Sequence, residues 1–296
     1  MANETTSGSV SISSFTGLSG LYSNIVQTAL FTMQEKAMIR PLVTEYDITG
    51  QRGKTAQIPI YPISSTVQTG EATDASNQQI TATVVQIDTD EVAAMTTLTD
   101  TARDSAADNV AASIGKIFGE TIARKIDEDL VSLFGGFSTV VGDHSTAMSP
   151  QLIFKAVAEL RNNSVMGPYV GVVSPNAAFD LKKTLANAGS ANIPSLSNAG
   201  NEALTNGFIG RIAGVDLFES ALIGTTAVGD STTGASCAVM TKDALALAIK
   251  KDLTIETERN ASVRGTEIVA SATYGVKEVF DAHGILVKSD NVATLS

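Results

Sequence analysis

The sequence predicts an α+β protein in which helical and β-rich stretches follow one another in blocks. Three observations carry that prediction. Residues 45–92 hold two alternating runs around a polar tip, residues 98–134 repeat apolar side chains at helical spacing, and residues 252–290 alternate again. A mixed helix-and-strand stretch, 149–250, separates the last two.

The first 20 residues, rich in Ser, Thr and Gly, predict a flexible arm. Beyond them Leu21, Ile25, Ala29, Met33 and Ala37 recur every fourth residue, with Tyr22, Val26 and Leu30 beside them. This spacing predicts a helix over 21–39 that Pro41 terminates. An amphipathic helix ahead of any compact domain needs another surface to pack on. In 45–92, the runs GQRGKTAQIPIYPISS and ITATVVQIDTDEV flank the polar segment QTGEATDASNQQ, the pattern of a long β-hairpin. Pro59 and Pro62 place its first arm at a sheet edge. A two-stranded hairpin is marginal in water, so one this long is expected to lie against a neighbour.

Residues 98–134 predict a long helix with the stripe Val110, Ile114, Ile117, Phe118, Ile122, Ile126, Leu130 and Leu133. Asp100 or Thr101 caps it, Gly135-Gly136 ends it, and Gly115 and Gly119 either weaken it or mark close packing. In 149–250, Ser149-Pro150 and Ser174-Pro175 start two helices around the buried strand YVGVV at 169–173. Residues 187–207 predict a loop, 215–220 and 237–241 strands, and 242–250 is ambiguous. After residue 252, LTIETE, EIVASATYGVKEV and HGILVKSD predict strands.

Composition narrows the function. The chain has 296 residues, a net charge of −11, 43% hydrophobic residues, 5% aromatic residues and no Trp. The acidity argues against gripping nucleic acid, which needs clustered Lys and Arg. Few aromatics mean a lean core, so part of the stability is expected from contacts with other chains. No basic-then-apolar leader opens the chain and no run approaches a membrane span, so a cytoplasmic protein with no membrane partner is expected. The single cysteine, Cys237, sits in an apolar run and is read as a small buried hydrophobe. His144 and His283 lie far apart, and no Ser sits in a G-x-S-x-G elbow. Asp88, Asp90 and Glu91 lack the Gly and closing Glu of a calcium loop. GFIGRIAG misses both the dinucleotide and the Walker spacings. No catalytic residue, cofactor or metal site is therefore assigned, and the expected protein is not an enzyme.

The order of elements resembles the Hong Kong 97-type capsid fold of tailed-bacteriophage major capsid proteins. The strings that carry it are GKTAQIPIY from Gly53, IARKIDEDLVS with Ile126 and Asp127, VVSPNAAFDLKK at 172–183, GRIAGVDLFES at 210–220, KDALALAIKKDLTIETE at 242–258 and ATYGVKEV at 272–279. The resemblance implies an N-terminal arm (1–44), an E-loop hairpin (45–92), a P-domain with its spine helix (93–148), an α/β A-domain (149–250) and return strands of the P-domain sheet (251–296). It implies pentamers and hexamers that build an icosahedral shell around DNA without reading its sequence. It also implies a virion capsid assembled in a bacterial host's cytoplasm, with a portal protein as partner and separate scaffolding or decoration proteins. Candidate inter-subunit contacts on the hairpin are Arg52, Lys54, Ile58, Ile60, Tyr61, Val67, Glu71, Ile80 and Val84. Some relatives weld their shells through an E-loop Lys; the only one here, Lys54, is at the base, so no autocatalytic crosslink is expected. Three alternatives stay open: an encapsulin shell that holds cargo enzymes, a filament or surface protein such as a flagellin, and a hydrolase with an unrecognised site.

Overall fold

A computed structural model describes residues 25–33, 37–61, 80–105, 110–188, 210–223 and 234–291. The chain divides into two compact units. Unit 1 comprises Met1–Ala37, Glu91–Lys125 and Lys251–Ala272; unit 2 comprises Met38–Asp90, Ile126–Lys250 and Thr273–Ser296.

In unit 1, the four-residue repeat of the arm becomes helix α1 over residues 25–33. Its stripe Ile25, Ala29 and Met33 is buried. Strand β4 (Asp90–Thr99) follows the hairpin and is paired with β11 (Gly265–Glu278), which is paired in turn with β10 (Leu245–Asn260). Alternation places Leu98, Leu253, Ile255, Ile268 and Ala270 inside. The expected single helix over 98–134 is two described segments, α2 (Asp100–Ser105) and α3 (Val110–Ser132), with residues 98–99 still in the strand. At the start of α2 the Ala102 N–H donates to Thr99 Oγ1 at 3.2 Å, so Thr99 acts as a cap. The Asp100 carboxylate accepts from both terminal guanidinium nitrogens of Arg259 at 2.7 Å each, tying the start of α2 to the end of β10. Of the α3 stripe, Phe118, Ile122, Ile126 and Leu130 are buried, but Ile117 is 60% exposed. Gly115 and Gly119 mark close packing: both lie under α1.

In unit 2, a 3-10 turn follows α3 over Leu133–Gly136, so the glycine pair is inside the helical end and not past it. A six-stranded sheet runs in the order β5 (Val140–Gly142), β12 (Gly284–Asp290), β9 (Gly234–Met240), β6 (Tyr169–Val173), β8 (Val215–Glu219), β7 (Arg211–Ile212). The pairs β5–β12 and β6–β8 are parallel, the others antiparallel. Helix α4 (Pro150–Asn162) lays Ile153, Ala156, Val157 and Leu160 inward and packs on β5, β7, β9 and β12. Helix α5 (Pro175–Ala188) follows β6. Ser174 caps α5, its Oγ accepting the Ala177 N–H at 3.2 Å, whereas Ser149 makes no such bond at α4. The ambiguous 242–250 segment supplies the start of β10, where Leu245–Ala248 are all fully buried. There β1 (Thr44–Asp47) pairs with it in parallel, Thr44 opposite Ala246 and Asp47 opposite Ile249. Most of the expected loop at 187–207 lies outside the described residues.

Candidate inter-subunit surface

The hairpin begins as two six-residue strands, β2 (Thr55–Ile60) and β3 (Thr83–Asp88), antiparallel with Thr55 opposite Asp88 and Ile60 opposite Thr83. Period-two alternation puts Ala56, Ile58 and Ile60 on one face with their partners Ile87, Val85 and Thr83. Ala56 and Ile87 are buried in a cluster with Ile48, Ala246 and Ala248, against which Tyr46, Ile58 and Val279 pack. The root is fastened by polar contacts too. The Thr89 N–H and hydroxyl both donate to the Lys54 carbonyl at 2.8 Å, and Thr55 Oγ1 donates to Asp88 Oδ1 at 2.8 Å. Lys250 Nζ donates to the Gly53 carbonyl. Gly275 of β11 is required here, because a Cβ at that position would overlap the Asp88 carbonyl oxygen.

Burial falls away along the hairpin. Ile58 and Ile60 are half-buried, then Tyr61 is 68%, Ile80 57% and Val84 47% exposed. Arg52 and Lys54 are exposed at the root. Val67, Glu71 and the polar tip lie outside the described residues. Ile60, Tyr61, Ile80 and Val84 thus stand on the outer part of the described hairpin, Ile60 and Val84 on opposite faces, whereas Ile58 packs at the root.

A second anchor holds the chain just before β1. Asp127 of α3 is 3% exposed, and its carboxylate accepts the N–H groups of Met38 at 2.9 Å, Ile39 at 3.2 Å and Arg40 at 3.3 Å. Those donors open the 3-10 turn Arg40–Leu42, whose first N–H groups have no partner inside the turn. Burial pushes the Asp127 carboxyl above its usual range, against the three N–H groups and the Arg40 charge. The Ile126-Asp127 pair is visible in the sequence, but its partners 87 to 89 residues away are not.

Nothing in the described residues assembles reactive groups. His144 Nδ1 lies 3.5 Å from the Ser289 carbonyl, while His283 stacks on Phe280 with ring centroids 4.8 Å apart. Among the described residues no group of three or more His, Cys, Asp or Glu is placed to hold a metal. Cys237 is fully buried, and desolvation pushes its thiol up to about 11. No described helix is long and apolar enough to cross a membrane.

Comparison with known proteins bears on the fold. The family model of the phage capsid protein matches residues 82–287. Among solved structures, the capsid of cyanophage P-SCSP1u is similar at a TM-score of 0.68 and 17% identity, covering 86% of this chain and 89% of that one. The capsid of Ralstonia phage GP4 gives 0.68 and 12%, covering 84% and 87%. A virus-like particle from Pyrococcus furiosus gives 0.61 and 10%, covering 90% and 98%. A search of curated proteins finds no match.

Proposed function

Because the chain belongs to the phage capsid protein family, we propose that it is the repeating subunit of a closed icosahedral shell, joined as pentamers and hexamers around double-stranded DNA. The observation that carries this reading is the hairpin. Its root is packed in unit 2, and among the described residues its outer side chains Tyr61, Ile80 and Val84 are 68%, 57% and 47% exposed. A second copy supplies their cover, and repetition of one such contact around an axis closes a ring. The parts follow the family layout: arm 1–44, E-loop 45–92, P-domain with spine helix 93–148, A-domain 149–250 and return strands 251–296. The remaining contact candidates, Arg52, Lys54, Val67 and Glu71, belong to the same E-loop. The net charge of −11 suits a wall that encloses DNA without adhering to it. The partners are further copies of the chain, a portal protein, and separate scaffolding or decoration proteins, met in a bacterial cytoplasm. The arm, with α1, is the part that shifts as a precursor shell matures.

Electron microscopy of the purified protein tests the reading. Closed icosahedral particles are expected; filaments or stable monomers under assembly conditions sink it. A denaturing gel of the particles is expected to show one band, because Lys54 sits at the root and not at the tip. A ladder of covalent oligomers overturns that part. The likeness to the Pyrococcus furiosus particle motivates a second reading, a cellular shell around protein cargo. Particles that contain cargo enzyme and no DNA favour it.

A further inference from the structure

Helix α1 meets α3 through backbone. Gly115 faces the Ile25 carbonyl and Gly119, four residues on, faces the Ala29 carbonyl, so the two helices run in the same direction. A Cβ on Gly115 would stand 2.7 Å from the Ile25 oxygen and 3.2 Å from the Thr28 Cβ. A Cβ on Gly119 would overlap the Ala29 oxygen and stand 3.0 Å from the Thr32 Cβ. Both glycines sit in a helix interior, where Gly is less favourable than Ala by about 1 kcal/mol. The gain that offsets this is close approach, and the notch admits α1 only while both positions lack a side chain.

The seat also contains a fault. Thr32 is 3% exposed, and among the described residues its hydroxyl has no hydrogen-bond partner. A buried hydroxyl without a partner weakens the packing it belongs to. Phe31, the preceding residue, is 68% exposed and adds nothing to the seat. The following stretch of arm is held by different means, three hydrogen bonds to the Asp127 carboxylate within unit 2.

We infer that the Gly115–Gly119 notch and the Thr32 hydroxyl together make α1 a releasable latch: a helix seated by shape, destabilised by one unpaired polar group, and followed by a fixed anchor at Met38–Arg40. Release exposes the stripe Ile25, Ala29 and Met33 while leaving the arm's root in place. The occasion for release rests on the shell reading; the latch itself does not.

Hydrogen exchange on the full-length unassembled subunit tests it, with β9 amides as the internal reference. Gly119→Ala is expected to speed exchange over residues 25–33 by at least about tenfold, with β9 unchanged. Helix propensity alone acts in the opposite direction, favouring α3. Thr32→Val, which keeps the shape and removes the hydroxyl, is expected to slow exchange over 25–33 by about threefold or more. Unchanged exchange in Gly119→Ala overturns the latch. If that variant loses β9 protection and is misfolded, Thr32→Val decides, and no slowing overturns it. Microscopy of the wild type separates the two readings: shells with no effect of either variant leave the capsid and remove the latch. The absence of shells removes the capsid, and exchange still judges the latch.

Discussion

Removing the Asp127 carboxylate is the sharpest test of how the arm's root is held. Asp127→Ala strips three N–H groups of their acceptor at once. The Ile39 bond is fully buried, and leaving that donor unpaired costs about 1–3 kcal/mol. The Met38 and Arg40 donors are part-buried and recover water, so each contributes about 0.5–1 kcal/mol. The sum is about 3 kcal/mol, roughly 150-fold in the unfolding equilibrium. Asp127→Asn keeps Oδ1 for Ile39 and Arg40 but turns an amide N–H₂ toward the Met38 donor, so about half that loss is expected. Acid dependence separates charge from shape. Burial raises the folded carboxyl above its ordinary 3.8. Its ionisation-linked stability is therefore complete below that value and declines as pH rises through the folded value. The advantage of wild type over Asp127→Asn is accordingly expected to be larger near pH 4 than near pH 7. Urea unfolding of the unassembled subunit measures both effects, and amide exchange at residues 38–40 locates them. An alanine variant with wild-type midpoint and wild-type exchange refutes the anchor.

Three further outcomes are expected. Tyr61→Ser with Ile80→Ser leaves the subunit's melting unchanged, since both side chains are more than half exposed, yet abolishes or weakens assembly as seen by sedimentation. Tyr274→Phe costs about 1.5 kcal/mol by removing the 2.8 Å bond its hydroxyl donates to Asp129. Burial, then that bond and the Asp129 charge, push the phenol up from 10.0, so wild type's advantage in unfolding experiments is full below that pH and declines above it. Cys237 is expected to resist thiol reagents near pH 8 in the folded chain and to react once unfolded, because the thiol is buried and raised to about 11.

What was legible in the sequence was whatever rests on local pattern. YVGVV at 169–173 is β6 to the residue, Pro150 and Pro175 open α4 and α5, and the two alternating runs form β2 and β3. Patterns hid where neighbours decided the outcome. Strand β4 was obscured because VAAMTTLT is rich in small residues and Thr, and the following helical stripe drew the boundary back to residue 98. The start of β10 stayed ambiguous because ALALAI is buried on both faces and so does not alternate. Ile117 matched the stripe by spacing alone and is exposed. For the site, the hairpin and its apolar residues were readable; which of them belong to the root was not. Ile58 is claimed by a cluster with Ile48, Ala246 and Ala248 that only the folded chain brings together. Asp127 was visible as part of a pair, but its work depends on donors nearly ninety residues away.

The fastened root of the hairpin has a mechanical consequence. At about 3.3 Å per residue, Ile60 stands about 16 Å along the strand from Thr55. A beam clamped at one end transmits force to whatever its free end touches, and any tilt at the clamp is magnified along that length. Subunits that meet at different angles, as the proposed pentamers and hexamers require, need compliance somewhere. The Thr89–Lys54 bonds and the Gly275 contact deny it at the clamp. In the proposed shell, angular tolerance then belongs to the contact with a neighbour and not to the clamp.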